Sequence, residues 1–196
     1  MNKRNFVASV GLAGMLPAAS AIAAPAKAGS QQPALLTVSG AVDKPNRGPL
    51  DPVIDQMMGK HGIQFSKAHA FDAAALQRLP AVTIKPTLEY DGKPHMLEGP
   101  LLVTVLEAAG VKRNSAVQLG LRAVDGYNVA ISLADAAMYR MIVATRLDGL
   151  PMALGGLGPQ WAVYDADNLA AFKDKPVKER FALCPWGLYH IDVKAA

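Results

Sequence analysis

The chain contains one cysteine, Cys184, which lies two residues before Trp186 in the stretch ALCPWGLY (182 to 189). A thiolate can act as a nucleophile or hold a soft metal, whereas a protonated thiol packs as a small apolar group. The sequence places no base and no second thiol beside Cys184. We therefore expect this residue to pack in the core, with a redox or metal-binding role as the alternative.

Other residue types that perform chemistry do not form a known motif. The four histidines, His61, His69, His95 and His190, lack the spacing of a zinc-binding His-Glu-x-x-His helix. The chain has no Gly-x-Ser-x-Gly elbow and no Walker loop. The glycine-rich run GGLGP (155 to 159) matches no phosphate-binding fingerprint, and by itself it predicts a tight turn between strands.

The elements that position these residues are mostly strands. Alternating and β-branched runs predict them at 35–42, 81–90, 116–124, 127–133, 161–165 and 186–193. Helical spacing predicts a helix over 71–80 with Asp72 as its N-cap, and another over 99–110 with Pro100 in its first turn. Residues 135–147 pass from a helical turn into a strand. Because the sequence shows no repeat and no change of composition, we expect one α+β domain with a mixed, mostly β core.

The N-terminus predicts export. Lys3 and Arg4 precede an apolar, uncharged stretch that ends in Ala21-Ile22-Ala23, the pattern of a secretory signal peptide over residues 1–23. Residues 24–34 are small, polar and proline-bearing, which predicts a flexible leader before a domain at 35–194. The sequence NKRNFV is one residue away from a twin-arginine signal. We expect a periplasmic protein without a stable membrane span.

Charge argues against nucleic acid as a partner. The formal net charge is +4 for the whole chain and falls to +2 once Lys3 and Arg4 are removed with the signal peptide. A nucleic-acid-binding domain usually carries a concentrated basic surface. We therefore expect no nucleic-acid partner.

The order of several segments is more specific than any one motif. EGPLLVTVLEAAG is followed by LRAVDGYNVAISLADA, then by IVATRLDGLPMALGGLGPQWAVY, and finally by ERF and WGLYHIDV. In this order the chain resembles the molybdopterin-binding oxidoreductase domain, the fold of sulfite oxidases, over about Leu35 to Val193. It is most similar to the short, exported, single-domain branch that looks like periplasmic pterin-binding proteins. The sharpest matches are Gly99-Pro100-Leu101-Leu102, Asp125-Gly126-Tyr127, Asp148-Gly149 with Met152, and Gly158-Pro159 with Trp161.

The resemblance also shows what this chain lacks. Enzymes of the family hold molybdenum with a cysteine thiolate shortly before the Gly-Pro-Leu-Leu helix. Here that region reads TIKPTLEYDGKPHMLEGPLL and has no cysteine, and Thr87 cannot replace a thiolate. The resemblance therefore implies a cofactor fold without its metal anchor: a pterin or molybdopterin ligand, with molybdenum not expected.

The resemblance implies a set of pterin-binding residues. The ring edge of a pterin carries N–H donors that suit a carboxylate, and its flat face suits an aromatic side chain. The expected site residues are Asp125, Tyr127, Trp161, Arg180, Glu98, Tyr90 and the backbone of Gly158. Ordinary structural roles remain open: a turn aspartate for Asp125, core packing for Tyr127 and Trp161, and a surface salt bridge for Arg180.

Three functions remain open. The first is an exported pterin-binding module, without chemistry of its own, that acts with a membrane signalling or redox partner protein. The second is a periplasmic molybdopterin-dependent oxidoreductase that keeps its metal without the cysteine. The third is a structural partner protein whose pocket has degenerated.

Overall fold

The computed structural model describes residues 32–195; the predicted signal peptide and most of the predicted leader lie outside them. The strands are β1 (Leu36–Gly40), β2 (Ala68–Phe71), β3 (Ala81–Ile84), β4 (Leu97–Pro100), β5 (Val117–Ala123), β6 (Asn128–Ser132), β7 (Ile142–Ala144), β8 (Arg146–Leu147), β9 (Leu150–Pro151), β10 (Trp161–Val163) and β11 (Leu188–Ala195). The α-helices are α1 (Gln56–Lys60), α2 (Ala73–Gln77), α3 (Leu102–Ala108) and α4 (Leu133–Met138). Short 3-10 turns lie at Ala166–Asn168 and Val177–Glu179.

The largest sheet joins the two ends of the described chain. Its strand order is β2-β1-β11-β5-β6, so the first strand lies beside the last. The β1–β11 pair is parallel, and the other three pairs are antiparallel. Alternate side chains of these strands, such as Val38 and Ile191, are fully buried. This alternation places one face of the sheet on the core and leaves the other face more polar.

Two smaller sheets pack at the other side of this core. One pairs β10 with β7, and the other has the order β3-β4-β8-β9. Gly99 in β4 lies against β7 so closely that a Cβ atom there would fall 2.0 Å from the carbonyl oxygen of Val143. Only glycine permits this approach of two backbones.

Helix α2 begins at its predicted N-cap, whereas helix α3 begins later in the sequence than predicted. The Asp72 carboxylate accepts a hydrogen bond from the Ala75 backbone N–H at 2.6 Å, as its predicted N-cap role at α2 requires. Helix α3 begins at Leu102, after Leu101 as its N-cap, because Pro100 is still part of β4 and pairs with Ala81. The expectation that Pro100 lies in the first helical turn was therefore wrong.

The last strand is also shorter than predicted at its start. Strand β11 begins at Leu188, because Gly187 adopts a φ of +61° and turns the chain before it. Trp186 therefore lies in a loop and is 37% exposed. The α+β class with a single, mostly β core is confirmed by these sheets and short helices.

Candidate functional site

A cavity of about 310 Å³ opens where the β5–β6 turn meets the loop that precedes β11. Pockets for small molecules usually measure roughly 300–1,000 Å³, so this one is at the lower end of that range. Four of the seven expected site residues line it: Tyr90, Asp125, Tyr127 and Trp161. The other lining residues are Glu89, Ala123, Lys178, Phe181, Ala182, Cys184, Pro185 and Trp186.

The β5–β6 turn presents Asp125 and Tyr127 at the mouth of this cavity. Gly126 between them has a φ of +92°, and Asp125 Oδ1 accepts the Tyr127 backbone N–H at 2.9 Å. Asp125 is thus a turn aspartate through one oxygen. Within residues 32–195 its other oxygen, Oδ2, has no hydrogen-bond partner. That oxygen is therefore available to a ligand.

Tyr127 is fixed across the cavity mouth. Its hydroxyl donates a hydrogen bond to the Ala182 carbonyl oxygen at 2.8 Å, which ties the turn to the loop before β11. Tyr127 nevertheless remains half exposed. A ring held at its far end with an open face is a rigid surface for stacking.

Trp161 and Trp186 have different positions in the same site. Trp161 is 1% exposed, and its indole N–H donates to the Cys184 carbonyl oxygen at 2.8 Å. It forms the back wall and packs on Phe181, with 5.9 Å between the ring centroids. Trp186 is paired backbone to backbone with Trp161, and it is partly exposed. Trp186 is therefore the more accessible of the two indoles, whereas Trp161 is chiefly a core residue.

Glu89 and Tyr90 also line this cavity. The Tyr90 hydroxyl lies near the Glu89 carboxylate and the Trp186 indole, which both act on its pKa. Partial burial, and next the Glu89 charge, raise the pKa of Tyr90, while the Trp186 contact lowers it. Tyr90 is therefore a neutral hydroxyl beside a carboxylate, and the residue is 57% exposed.

The formal charges around the mouth have both signs. Asp125 and Glu89 supply two carboxylates, and Lys178, which is exposed in the 3-10 turn Val177–Glu179, supplies one ammonium group. Such a rim suits a ligand with N–H donors at one edge and an anionic or carbonyl group elsewhere.

Cys184 lines the cavity but is a poor nucleophile. It is 3% exposed, and burial raises the pKa of its thiol to about 12, although a hydrogen bond with Tyr164 acts in the opposite direction. A thiol with such a pKa is protonated at neutral pH. These observations support the packing role predicted for Cys184.

The structure does not bring Arg180, Glu98 or Gly158 into this cavity. Arg180 Nη1 is paired with Asp167 Oδ1 at 2.7 Å, and its Nε donates to the Lys175 carbonyl oxygen at 2.8 Å. This is the salt-bridge role that sequence left open. Glu98 lies in β4 and lines a separate cavity of about 240 Å³.

Gly158 is buried behind the loop before β11. A Cβ atom on it would lie 2.4 Å from the Met152 carbonyl oxygen, so glycine is needed there for packing. Its backbone therefore does not form the rim of the 310 Å³ cavity.

Eight residues of the cavity were not among the predicted site residues, and three of them carry a charge or an accessible aromatic ring: Glu89, Lys178 and Trp186. Trp186 was assigned to the last strand, yet Pro185 and Gly187 flank it in the sequence, and this pair is typical of a loop. Glu89 and Lys178 lie far apart in sequence and carry no local signal of a shared site.

In the described part of the chain, no three His, Cys, Asp or Glu side chains converge so that they could hold a metal ion. Nor do residues 32–195 include a helix long and apolar enough to cross a bilayer.

Comparison with known proteins shows the fold. No protein-family model and no curated protein sequence matches the chain. Among solved structures, the chain is similar to the sulfane dehydrogenase SoxCD from Paracoccus pantotrophus, with a TM-score of 0.54 and 14% sequence identity. The match covers 87% of this chain but 40% of the dehydrogenase chain. The chain therefore has a distant oxidoreductase-like fold, consistent with the sulfite-oxidase-like domain predicted from sequence.

Proposed function

We propose that this protein is an exported pterin-binding module, in which the 310 Å³ cavity takes the ring system of a pterin or a metal-free molybdopterin. The observation that carries the proposal is the cavity mouth. Three partly exposed aromatic side chains, Tyr90, Tyr127 and Trp186, surround an opening that also carries the carboxylates of Asp125 and Glu89.

The chemistry of a pterin matches this mouth in two ways. Its flat bicyclic ring gains most from stacking on an open aromatic face, which Trp186 and Tyr127 provide. Its amino-pyrimidinone edge donates two parallel N–H groups, which suit the two oxygens of a carboxylate. In Asp125, Oδ2 has no partner within the described residues and Oδ1 accepts one bond, from the Tyr127 N–H. Lys178 adds a cation for an anionic tail.

The same residues do not suit molybdenum. A soft metal of this kind is held by a thiolate, and the one cysteine of the chain is a buried thiol with a pKa raised to about 12. The proposal therefore assigns the cavity to the organic part of the cofactor. A module that binds a ligand without transforming it acts only through a second protein that responds to the bound state. The proposal therefore includes a membrane signalling or redox protein as its partner.

A fluorescence titration tests the proposal. The purified protein is titrated with pterin-6-carboxylate and with tetrahydrobiopterin, and quenching of the exposed Trp186 reports binding. We expect saturable binding that weakens at least tenfold in Asp125→Asn, since hydrogen bonds to a charged group contribute about 1.5–3 kcal/mol. Trp186→Leu weakens binding by a similar factor, measured then by ligand fluorescence.

Matched variants make this test specific. Asp174→Asn changes a carboxylate whose side chain is 82% exposed, and Met138→Ala changes a side chain that is 63% exposed in α4. Neither residue lines the cavity, so both variants should bind as the parent does. Unchanged affinity in Asp125→Asn and Trp186→Leu would reject this site, and no saturable quenching by either pterin would reject the function.

A periplasmic molybdopterin-dependent oxidoreductase is the second candidate, favoured by the structural likeness to a sulfane dehydrogenase. Native mass spectrometry on protein purified from its own periplasm separates the two. A bound mass that matches a metal-free pterin supports the binding module. A bound mass that contains molybdenum supports the oxidoreductase.

A further inference from the structure

A second cavity, of about 320 Å³, lies on the outer face of the five-stranded sheet, and we call it the sheet hollow. The segment Gly62, Ile63 and Gln64 covers one side of it. Its floor belongs to strands β5, β6 and β11, on the face that points away from the core. Unlike the 310 Å³ cavity, the sheet hollow has no aromatic residue other than a histidine among its lining residues.

Strand register explains which side chains meet there. Arg122 lies opposite His190 of β11 on one side and opposite Asn128 of β6 on the other. Residues directly opposite each other share a face of the sheet, so the three side chains form one row across it. In the neighbouring row Gly120 lies opposite Asp192 and has no side chain.

Gly120 leaves the space that becomes the hollow. A Cβ atom on it would lie 3.5 Å from Asp192 Cβ and 3.6 Å from Asn128 Oδ1, which are ordinary contact distances. Backbone geometry therefore does not demand glycine here, unlike at Gly99. A larger side chain at this position would simply occupy the hollow.

Arg122 is the charged group that lacks a partner in this space. Asp192, the one carboxylate among the lining residues, is paired with Lys194 at 3.0 Å. Within residues 32–195 no carboxylate forms an ion pair with Arg122, and its one hydrogen bond, to the Gly126 carbonyl oxygen, is long at 3.4 Å. Arg122 is nevertheless partly buried, so its charge is not fully solvated.

The histidine of this row, His190, is neutral at neutral pH and therefore adds no charge to the hollow. His190 is 2% exposed and bonds through Nε2 to Ser39 Oγ at 2.9 Å. Burial lowers the pKa of His190 to about 4, with Arg122 and Lys194 acting in the same direction and Asp192 against it. At neutral pH the hollow thus holds Arg122, a Lys194–Asp192 pair, a neutral imidazole and two amides, with one net positive charge.

We propose that the sheet hollow is a second ligand site, which binds a small oxyanion, either an organic carboxylate or a phosphate, on the guanidinium of Arg122. The planar fork of arginine donates two parallel N–H bonds to such a group. Asn128 and Gln64 supply amide N–H donors at its sides. This site does not depend on pterin binding.

Nuclear magnetic resonance with the ¹⁵N-labelled protein tests this proposal. Sodium succinate and inorganic phosphate are titrated separately at constant ionic strength, with chloride as the balancing ion. We expect saturable shifts at the backbone amides of Gly120, Arg122 and Gln64. Saturation by succinate alone identifies a carboxylate site, and saturation by phosphate alone identifies a phosphate site.

Two variants test whether the anion binds to Arg122 and within the sheet hollow. Arg122→Gln should weaken binding at least tenfold, whereas Arg113→Gln, which changes a 58% exposed arginine paired with Glu107, should not. Gly120→Val fills the hollow and should abolish binding, while the dispersion of its other amide signals stays that of the folded parent. Shifts that scatter over surface lysines, or an affinity unchanged in both Arg122→Gln and Gly120→Val, would overturn the proposal.

Discussion

At the scale of single residues, the neighbours of Cys184 decide its chemistry. A cysteine beside a tryptophan resembles a reactive site in sequence, but reactivity requires a thiolate. Here the Trp161 indole is bonded to the Cys184 backbone carbonyl and not to the thiol. Tyr164 is the group beside the sulfur, and burial raises the pKa of Tyr164 as well. Neither neighbour can take the thiol proton at neutral pH.

Alkylation measures this property directly. At pH 8 a thiol with a pKa of about 12 has about a thousandfold less thiolate than one at the ordinary value of 9.0. We expect iodoacetamide to modify the folded protein at least a hundredfold more slowly than the same protein in urea. Equal rates in the two states would show a reactive thiol and would restore the redox alternative for Cys184.

Sequence predicted part of the candidate site because the local signals there were strong. Asp125-Gly126-Tyr127 combines a turn with a carboxylate and an aromatic ring, and the structure places it at the cavity mouth. Arg180 looked equally suitable, but its partner Asp167 is set by tertiary packing that no local pattern reveals. The exchange of roles between Trp161 and Trp186 has the same origin, since burial depends on which loop covers which strand.

At the scale of elements, close contact between backbones is what sequence patterns predict least well. Strand β4 was expected to be part of a helix from Gly99 onwards, because Gly-Pro-Leu-Leu reads as a helix start. Instead Gly99 lets β4 pack directly on β7. The helix then begins three residues later, at Leu102.

Gly99→Ala tests this contact. Its Cβ would overlap the Val143 carbonyl group, so the strands must separate, and we expect a loss of about 3 kcal/mol or more in the free energy of unfolding. Gly59→Ala is the matched control, because α1 has open space around Gly59. That variant should gain about 0.5–1 kcal/mol. Urea denaturation measures both, and equal effects of the two substitutions would contradict the packing argument.

At the scale of the whole molecule, the large sheet makes both ends of the described chain part of one core. Strand β1 lies between β2 and β11, so it is a central strand despite being first in sequence. Leu36 and Val38 are fully buried in the common core. Sequence predicted both end strands but not their pairing, since parallel partners more than 150 residues apart leave no local pattern.

Removal of β1 should therefore unfold the protein as a whole. Burial of Leu36 and Val38 alone contributes roughly 3–6 kcal/mol, and domains are stable by only about 5–15 kcal/mol in total. A chain that begins at residue 41 also leaves β11 without its parallel partner, so its far-UV circular dichroism should be that of an unfolded chain.

A chain that begins at Leu35 is the control. It keeps β1 and the Gln160 bond to the Leu35 carbonyl oxygen at 2.6 Å, and it should unfold in urea at the parent's midpoint. Tryptophan fluorescence and circular dichroism should give coincident transitions for it. If the shorter chain instead kept a cooperative transition, β1 would be a dispensable addition to a core built by β5, β6 and β11.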